Sequence, residues 1–375
     1  MVKYPPDWKQ GELKDFAFIN PKSDLPFSFT YVDLEAVKGI SLINPRKETQ
    51  RTAPSRARRV ALKGDIFFQT VRPYQRNNYL FNLNGDYVFS TGYAQIRAKI
   101  NPNFLFILLR QERFVSAVLD NCTGTSYPAI NPSRLSRIQI CIPSTLNEQK
   151  AIADTISTFD TYISNLTELI EKKKAIREGA LEDLVSGKTR LEGFGGEWKK
   201  GRLLDFTKIK RGKRVVRSQL YTTHKKETFP VYQNSLEPLG YFNDYNCRRN
   251  SVFVIAAGNA GDIGFSNENF WAADDCYSFE HTDNVSQKFL LYLLLSRQQE
   301  ISAQTRRTSI PRLSRDILEN LLVMLPKQNE QQAIVNTLTA MDDEIRNLET
   351  ELDKMKQIRE GAMDDLLTGR IRLPL

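Results

Sequence analysis

The sequence has few of the residues that bind metals, cross-link chains or act as general bases. It contains four cysteines, with no Cys-x-x-Cys pair among them, and two histidines, His224 and His281. This scarcity argues against a zinc site and a disulfide framework and is typical of the reducing cytoplasm. It also disfavours Ser/His/Asp and Cys/His catalysis, because both arrangements need a well-placed histidine.

Long apolar runs are missing as well. The longest, from Phe289 to Leu295, has seven residues, whereas a transmembrane helix needs about 20. The N-terminal residues MVKYPPDWKQ are polar and lack the hydrophobic segment of a signal peptide. We therefore expect a soluble cytoplasmic protein, and its 375 residues leave room for two or three domains.

Motifs of nucleotide-dependent and DNA-modifying enzymes are incomplete. Gly187-Lys188-Thr189 resembles the end of a phosphate-binding loop, but Glu182 occupies the position of its first glycine. The glycines at 258–264 are typical of a turn between strands. An amino-methyltransferase needs Asn/Asp-Pro-Pro-aromatic, which Asn131-Pro132-Ser133 does not match, and Asp274-Asp275 is an isolated acidic pair rather than a nuclease cluster. We predict no catalytic and no metal-binding residue.

What the chain does contain is a long internal repeat. Residues 147–191 and 329–373 align without a gap at an offset of 182 positions, with close to half of their residues identical. The motif Trp-Lys-x-Gly-x-Leu-x-Asp-Phe at residues 8–16 also returns at 198–206. The whole half-chain is therefore duplicated, and its insertions and deletions fall outside the 147–191 repeat.

Apolar residues in each copy of this repeat alternate at steps of four and three, the spacing of a coiled-coil seam. We predict two long helices that pair with each other, stopped by Gly187 and Gly369. About 38 helical residues rising 1.5 Å each give a rod of roughly 57 Å. Two unrelated amphipathic helices on separate cores are the alternative. The predicted seam residues are Ile152, Ile156, Phe159, Ile163, Leu166, Ile170, Ile334, Leu338, Met341, Ile345, Leu348 and Leu352.

The repeat divides the chain into four predicted segments. Residues 1–146 and 192–328 are mixed α/β (α+β) globular domains, and residues 147–191 and 329–375 are spacer helices. Their net charges, in chain order, are +9, −1, +5 and −4. The positive excess thus lies wholly in the globular segments, which favours a polyanion bound in two places over a merely basic surface.

Within the globular segments, alternating and apolar runs predict strands at residues 60–69, 86–100 and 251–257. The apolar runs 104–109 and 289–294 predict one buried helix in each half.

Several loops of the globular segments interleave basic residues with aromatics and hydroxyls. Arginine can bind guanine edges or phosphates, and hydroxyl groups position phosphates. A solvated charge or a local salt bridge is the alternative for each single residue, but the set as a whole favours DNA contact. The candidate DNA-binding residues are Arg51, Arg56, Arg58, Arg59, Arg72, Tyr74, Arg76, Thr125, Tyr127, Lys210, Arg211, Lys213, Arg214, Arg217, Lys225, Lys226, Arg306 and Arg307.

With its two basic segments and two repeated helices, the chain resembles the specificity subunit of type I restriction-modification enzymes. The motifs that carry the resemblance are Asn-Glu-Gln at 147–149 and 329–331, Ile-Arg-Glu-Gly-Ala at 176–180 and 358–362, Thr-Gly-Thr-Ser-Tyr-Pro at 123–128 and Ser-Ile-Pro-Arg-Leu-Ser at 309–314. The first half departs from the last motif, because Asn131-Pro132-Ser133-Arg134 precedes its Leu-Ser.

The resemblance implies that each globular segment is a target recognition domain for one half of an asymmetric, bipartite site in double-stranded DNA. It implies a pseudo-two-fold repeat in which the helices form an antiparallel coiled coil that sets the gap between half-sites. Two modification (methyltransferase) subunits would dock on this coiled coil, and restriction/translocase subunits would join them. S-adenosylmethionine, ATP and Mg²⁺ would belong to those partners, leaving this chain a non-catalytic subunit.

Two other functions remain open from the residues alone. One is a stand-alone DNA-processing enzyme with an unrecognised active site, which would transfer a methyl group or cleave DNA without partners. The other is a coiled-coil scaffold with non-specific DNA affinity, which non-specific DNA would compete away as well as any defined site.

Overall fold

A computed structural model describes residues 3–124, 126–305 and 311–374 of the chain. The chain divides into two compact units, Met1–Thr167 with Glu351–Leu375 and Glu168–Thr350. None of the helices in the described residues is long and apolar enough to cross a membrane. Because the two longest helices each contribute to both units, neither unit is simply one half of the sequence.

Among its described residues, the first unit has twelve strands and four short α-helices before the first long helix. In chain order they are β1 (Lys9–Glu12), α1 (Leu13–Phe16), β2 (Ala17–Ile19), β3 (Ser28–Val32), β4 (Val37–Lys38), β5 (Ser41–Leu42), β6 (Arg46–Thr49), β7 (Ala57–Val60), β8 (Asp65–Gln69), β9 (Tyr79–Leu80), β10 (Tyr87–Ser90), β11 (Tyr93–Ala98), α2 (Pro102–Arg110), α3 (Glu112–Asp120), α4 (Pro132–Leu135) and β12 (Gln139–Ile142).

Two four-stranded sheets form the body of this unit, in the orders β6-β3-β10-β7 and β2-β11-β8-β9. The β3–β10 pair is parallel, whereas β8 and β11 pair antiparallel. All five residues of β8 are buried, and the apolar residues of α2 join Ile66, Phe68 and Ile96 in one core. The predicted buried helix at 104–109 is confirmed.

The second unit repeats this plan, with fewer strands among the residues that the structure describes. Its elements outside the long helices are β13 (Lys199–Arg202), β14 (Ile209–Arg211), β15 (Phe229–Tyr232), β16 (Gly240–Phe242), β17 (Ser251–Ile255), β18 (Ile263–Ser266), β19 (Trp271–Ala272), β20 (Cys276–Phe279), α6 (Gln287–Ser296), α7 (Gln298–Ala303), α8 (Arg315–Glu319) and β21 (Leu322–Leu325). They form the sheets β14-β20-β17-β18 and β16-β15-β19 and the pair β13-β21.

The long helices are α5 (Leu146–Ser186) and α9 (Gln328–Thr368), each of 41 residues. Both end where the sequence predicts, because Gly187 and Gly369 adopt φ values of 74° and 68°, which residues with a Cβ rarely adopt. Their antiparallel pairing is visible within each unit. In the first unit Arg359 contacts Asp160, and in the second Arg177 contacts Asp342. The prediction of an internal coiled coil is confirmed.

The apolar stripe of these helices has a second role that the sequence pattern does not show. Ile152 and Ile156 lie in the core of the first unit, together with Met363 and Leu366 from the end of α9. The equivalent residues Ile334 and Leu338 lie in the core of the second unit. Leu166 and Ile170 are buried nearer the middle. The remaining seam residues are half-buried: Phe159, Ile163, Met341, Ile345, Leu348 and Leu352.

The strand predictions need correction. The predicted strand at 86–100 is two strands, β10 and β11, which belong to different sheets and are separated by Thr91 and Gly92. A Cβ on Gly92 would lie 2.9 Å from the side chain of Leu34, so a larger residue at this turn would have to displace that side chain. Likewise, the predicted strand at 60–69 is the end of β7, a turn at Gly64 and the whole of β8.

Candidate nucleic-acid interface

Arg72 and Tyr127 form the centre of the candidate site in the first unit. Arg72 adopts a left-handed conformation with φ of 55°, and its amide donates to the Pro128 carbonyl at 2.8 Å. Its guanidinium carbon lies 4.4 Å from the centre of the Tyr127 ring, and Tyr127 is 62% exposed. This cation–π contact holds the arginine beside an aromatic face that remains accessible to a ligand.

Hydrogen bonds from buried side chains stabilise the turn that follows Arg72. The side chain of Asn78, which is 1% exposed, accepts a hydrogen bond from the backbone amide of Gln69 at 2.8 Å. The side-chain amide of Gln69 donates to the side-chain oxygen of Gln75, also at 2.8 Å. This network positions Tyr74, which is half exposed. Arg76 at the end of the turn pairs with Glu112, so part of its charge is neutralised within the unit.

A second group of candidate arginines lies next to this turn. Arg51, Arg56 and Arg58 are exposed in the β6–β7 connection and the start of β7. The Arg56 carbonyl accepts the Thr91 amide at 2.8 Å, and the next residue, Gly92, accepts the Thr70 amide at 2.9 Å. The β10–β11 turn therefore brings the two basic loops to the same edge of the unit.

Arg59 differs from its neighbours in the sequence. It is half-buried, burial lowers its pKa, and its Nε has no hydrogen-bond partner among the described residues. Its environment is thus unlike that of an exposed DNA-contacting side chain.

In the second unit, the basic segment 208–214 lies along the neighbouring strands. The Gly212 amide donates to the Cys276 carbonyl, and the Lys213 amide to the Ala272 carbonyl, both at 2.9 Å. A Cβ on Gly212 would lie 2.0 Å from the Ala273 carbonyl oxygen, so only glycine allows this approach. Lys213 and Arg214 are exposed just beyond it.

Other candidates of the second unit have partners inside the protein. Lys210 forms a 2.6 Å ion pair with Glu280 and lowers the pKa of that carboxyl group, and the Nε of Arg211 donates to the Asp274 carbonyl. The Lys225 ammonium lies 4.5 Å from the centre of the Tyr221 ring. Arg217 and Lys226 are exposed, whereas Thr125, Arg306 and Arg307 lie outside the described residues.

Three further basic residues were missed by the sequence analysis. Arg248, Arg249 and Lys288 line one cavity of about 580 Å³ in the second unit. The consecutive arginines just before β17 could have been recognised in the sequence as a further basic loop. Lys288 could not have been joined to them, because it lies about 40 residues further along the chain, in α6.

Features of catalytic chemistry are scarce in the part of the chain that the structure describes. It contains no group of three or more His, Cys, Asp or Glu residues that could hold a metal ion. Burial raises the pKa of the Cys247 and Cys276 thiols, which is the reverse of what a nucleophilic cysteine needs.

A family model described as "Type I restriction modification DNA specificity domain" matches residues 5–176 and again residues 195–357. The type I restriction enzyme MjaIX specificity subunit of Methanocaldococcus jannaschii is 22% identical over 422 residues, covering 99% of this chain and 95% of that protein.

Two solved structures share the fold. The S subunit of a type I restriction-modification system from M. genitalium superposes with a TM-score of 0.66, 19% identity and coverage of 97% of this chain and 98% of that one. The HsdS subunit from Thermoanaerobacter tengcongensis gives a TM-score of 0.55, 23% identity and coverage of 98% of both chains. Since the family model covers most of the sequence in two consecutive matches, the chain belongs to the type I restriction-modification DNA specificity family.

Proposed function

We propose that this chain is the DNA-recognition subunit of a type I restriction-modification complex and that each unit reads one half of a bipartite site. The observation that carries the proposal is the duplicated attachment of a basic globular part to the same pair of helices. In each unit an Asn-Glu-Gln motif supplies this attachment.

The glutamate and glutamine of that motif have distinct contacts. Glu148, 2% exposed, accepts two hydrogen bonds from Arg372 at 2.9 and 2.7 Å. Gln149 accepts the Asn101 amide at the start of α2 and donates to the Pro143 carbonyl. The motif thus ties the start of α5 both to the segment that follows α9 and to the globular part of the first unit.

The second unit has the same attachment. Glu330 accepts from Arg190 at 2.9 and 2.7 Å, and Gln331 accepts the Ser286 amide at the start of α6 at 3.0 Å. Charged hydrogen bonds to a buried carboxylate are strong and directional. Each globular part is therefore attached to the helices in a defined orientation. Two DNA-binding parts with fixed attachments to one pair of helices suit a target made of two separated half-sites.

In this proposal, the paired helices set the spacing between half-sites and dock two methyltransferase subunits, with restriction/translocase subunits joining the assembly. S-adenosylmethionine, ATP and Mg²⁺ are bound by those partners, the chain itself performs no catalysis, and the complex acts in the cytoplasm. The basic loops at Arg72 and Lys213 would contact DNA.

The test is to express the chain together with type I methyltransferase subunits from the same organism and to map methylated positions across the genome of the expression host. A single bipartite motif with a fixed gap is the expected result. Methylation or cleavage by the purified chain alone would favour the stand-alone enzyme instead. Equal competition by scrambled DNA would favour the non-specific scaffold.

A further inference from the structure

A basic cleft in the second unit carries no carboxylate. It has a volume of about 580 Å³, and Arg248, Arg249 and Lys288 supply its charges. None of its lining residues is acidic, and none of these three cations has a carboxylate within ion-pair distance in the described part of the chain. The nearby Glu268 faces His224 instead, at 3.6 Å.

The backbone fixes the two arginines in place. Cys247 exchanges two backbone hydrogen bonds with Phe270, at 3.0 and 3.1 Å, and the Arg249 amide donates to the Asn269 side chain at 2.8 Å. Asn250 then adopts φ of 56°, which turns the chain into β17. The loop is thus held from its main chain while both guanidinium groups remain exposed.

Lys288 enters the cleft from the first turn of α6. The helix start is fixed, because Ser286 caps it by accepting the Phe289 amide at 3.2 Å. The Lys288 ammonium lies 5.5 Å from the centre of the Phe265 ring. In the first unit α2 starts in the same way, with Asn101 accepting the Phe104 amide. The residue of α2 equivalent to Lys288 is the uncharged Asn103. The first unit therefore has no positive charge at this position, and the lysine is specific to the second unit.

His281 also lines the cleft. Its Nε2 lies 2.6 Å from the hydroxyl oxygen of Ser251. Partial burial, and then the neighbouring Arg248 charge, lower its pKa, so it is neutral at pH 7. It therefore contributes a hydrogen-bonding group rather than a fourth positive charge. A second cavity, which Lys210 and its partner Glu280 line, shares Arg248 and His281, so the cleft adjoins a segment that the sequence predicts to contact DNA.

We propose that this cleft binds a phosphate of the DNA backbone next to the half-site read by the second unit. A phosphodiester supplies the anionic oxygens that two forked guanidinium groups and an ammonium would bind. The inference rests on the proposed DNA-recognition function and extends it, because a phosphate contact fixes the register of a reader without adding base specificity.

The experiment uses the complete complex with its methyltransferase subunits and a duplex carrying the mapped target. The variant is the triple substitution Arg248→Gln, Arg249→Gln and Lys288→Gln. The matched control is Lys199→Gln, Lys200→Gln and Lys327→Gln, which removes three charges of the same unit that do not line the cleft. Affinity is measured from 50 to 300 mM KCl for both variants and the unaltered complex.

We expect the slope of log affinity against log salt to become shallower by about 1 to 2 in the cleft variant, corresponding to one or two lost phosphate contacts. The ranking of base substitutions in the target should not change. A neutral methylphosphonate, scanned along the second half-site, should weaken the unaltered complex at one or two positions but not the cleft variant.

An unchanged slope, or a slope change equal to that of the control, would overturn the proposal. Binding of inorganic phosphate that is lost in the cleft variant, combined with an unchanged DNA slope, would assign the cleft to a free anion and overturn it as well. A failure of the proposed function gives a different result, because the unaltered complex would then bind target and scrambled duplexes equally.

Discussion

The Nε of Arg359 donates to a carboxylate oxygen of Asp160 across 2.9 Å, which joins α9 to α5 in the first unit. Asp160 also accepts from Arg110 of α2 at 2.9 Å, so this one carboxylate links two helices and the globular part. Its equivalent in the second unit is Asp342, paired with Arg177 at 2.7 Å. There the third group is the neutral Tyr292 hydroxyl, at 2.8 Å.

This difference predicts unequal responses to removal of the helix arginine. Arg177→Gln leaves Asp342 with a hydrogen bond but no cation, and we expect a loss of about 2 kcal/mol in local stability. Arg359→Gln leaves Asp160 paired with Arg110, and we expect about 1 kcal/mol. Hydrogen–deuterium exchange of peptides from α6 and α2 measures the two opening free energies.

The control for this pair is Arg346→Gln on α9, which removes a solvent-exposed contact with Asp343 and should change stability by less than about 0.5 kcal/mol. Equal effects of the Arg177 and Arg359 variants would show that Arg110 does not compensate.

The glycines of the long helices divide into two classes with opposite expected responses to alanine. Gly369→Ala should destabilise the first unit by more than about 1 kcal/mol, because of its positive φ and because the Cβ would lie 2.3 Å from Pro5. Gly179→Ala and Gly361→Ala should stabilise by about 0.5–1 kcal/mol, because helical glycine is costly and a Cβ there meets nothing within 4 Å. Thermal unfolding of the purified chain distinguishes these outcomes. Destabilisation by all three variants would contradict the assignment.

Substitutions in the two basic loops should act on separate half-sites. Arg72→Gln removes the arginine held over Tyr127 and should weaken discrimination in one half of the target by about 10- to 100-fold, as expected when a base contact is lost. Lys213→Gln should affect the other half only. Genome-wide mapping of methylated sites for each variant measures the sequence specificity of both half-sites in one experiment. Loss of specificity in both halves from a single substitution would argue against independent readers.

Shortening the helices should change the gap and not the half-sites. Deletion of residues 166–172 together with the equivalent residues 348–354 removes one heptad from each helix, or about 10 Å of rise, while the helix faces keep their register to within about 20°. A spacer series in a DNA-binding assay should show a new preferred gap. Deletion from α5 alone is the control, because it mismatches the pair and should abolish specific binding. An unchanged spacer preference after the double deletion would exclude the helices as the spacing element.

The long helices could be predicted because their signals are local in the sequence. The apolar residues at alternating steps of four and three define the extent and the buried face of each helix. Gly187 and Gly369 define where the helices end, and neither signal requires knowledge of the tertiary structure. The Asn-Glu-Gln motif can be recognised in the sequence because it repeats at 147–149 and 329–331. The sequence cannot predict what the motif contacts, because Glu148 and Arg372 are 224 positions apart.

The candidate site was less predictable for the same reason. The sequence pattern of a basic loop residue is the same whether its charge is exposed or paired inside the protein. The sequence therefore did not separate the exposed Arg51 from Arg76, which binds Glu112. Nor could it separate Arg58 from Arg59, which is half-buried. The cleft of Arg248, Arg249 and Lys288 was missed because Lys288 joins the two arginines only through the packing of α6 against β17 and β18.

The composition of the two units has a consequence for synthesis on the ribosome. The second unit is one continuous stretch, Glu168–Thr350, whereas the first needs both Met1–Thr167 and Glu351–Leu375. The core of the first unit therefore lacks Met363, Leu366 and Leu367 until the whole of the second unit has been synthesised. Domains usually fold in the order in which they are made. In this protein the first unit begins to emerge first, but its core is completed last, because residues 351–375 are made after the second unit.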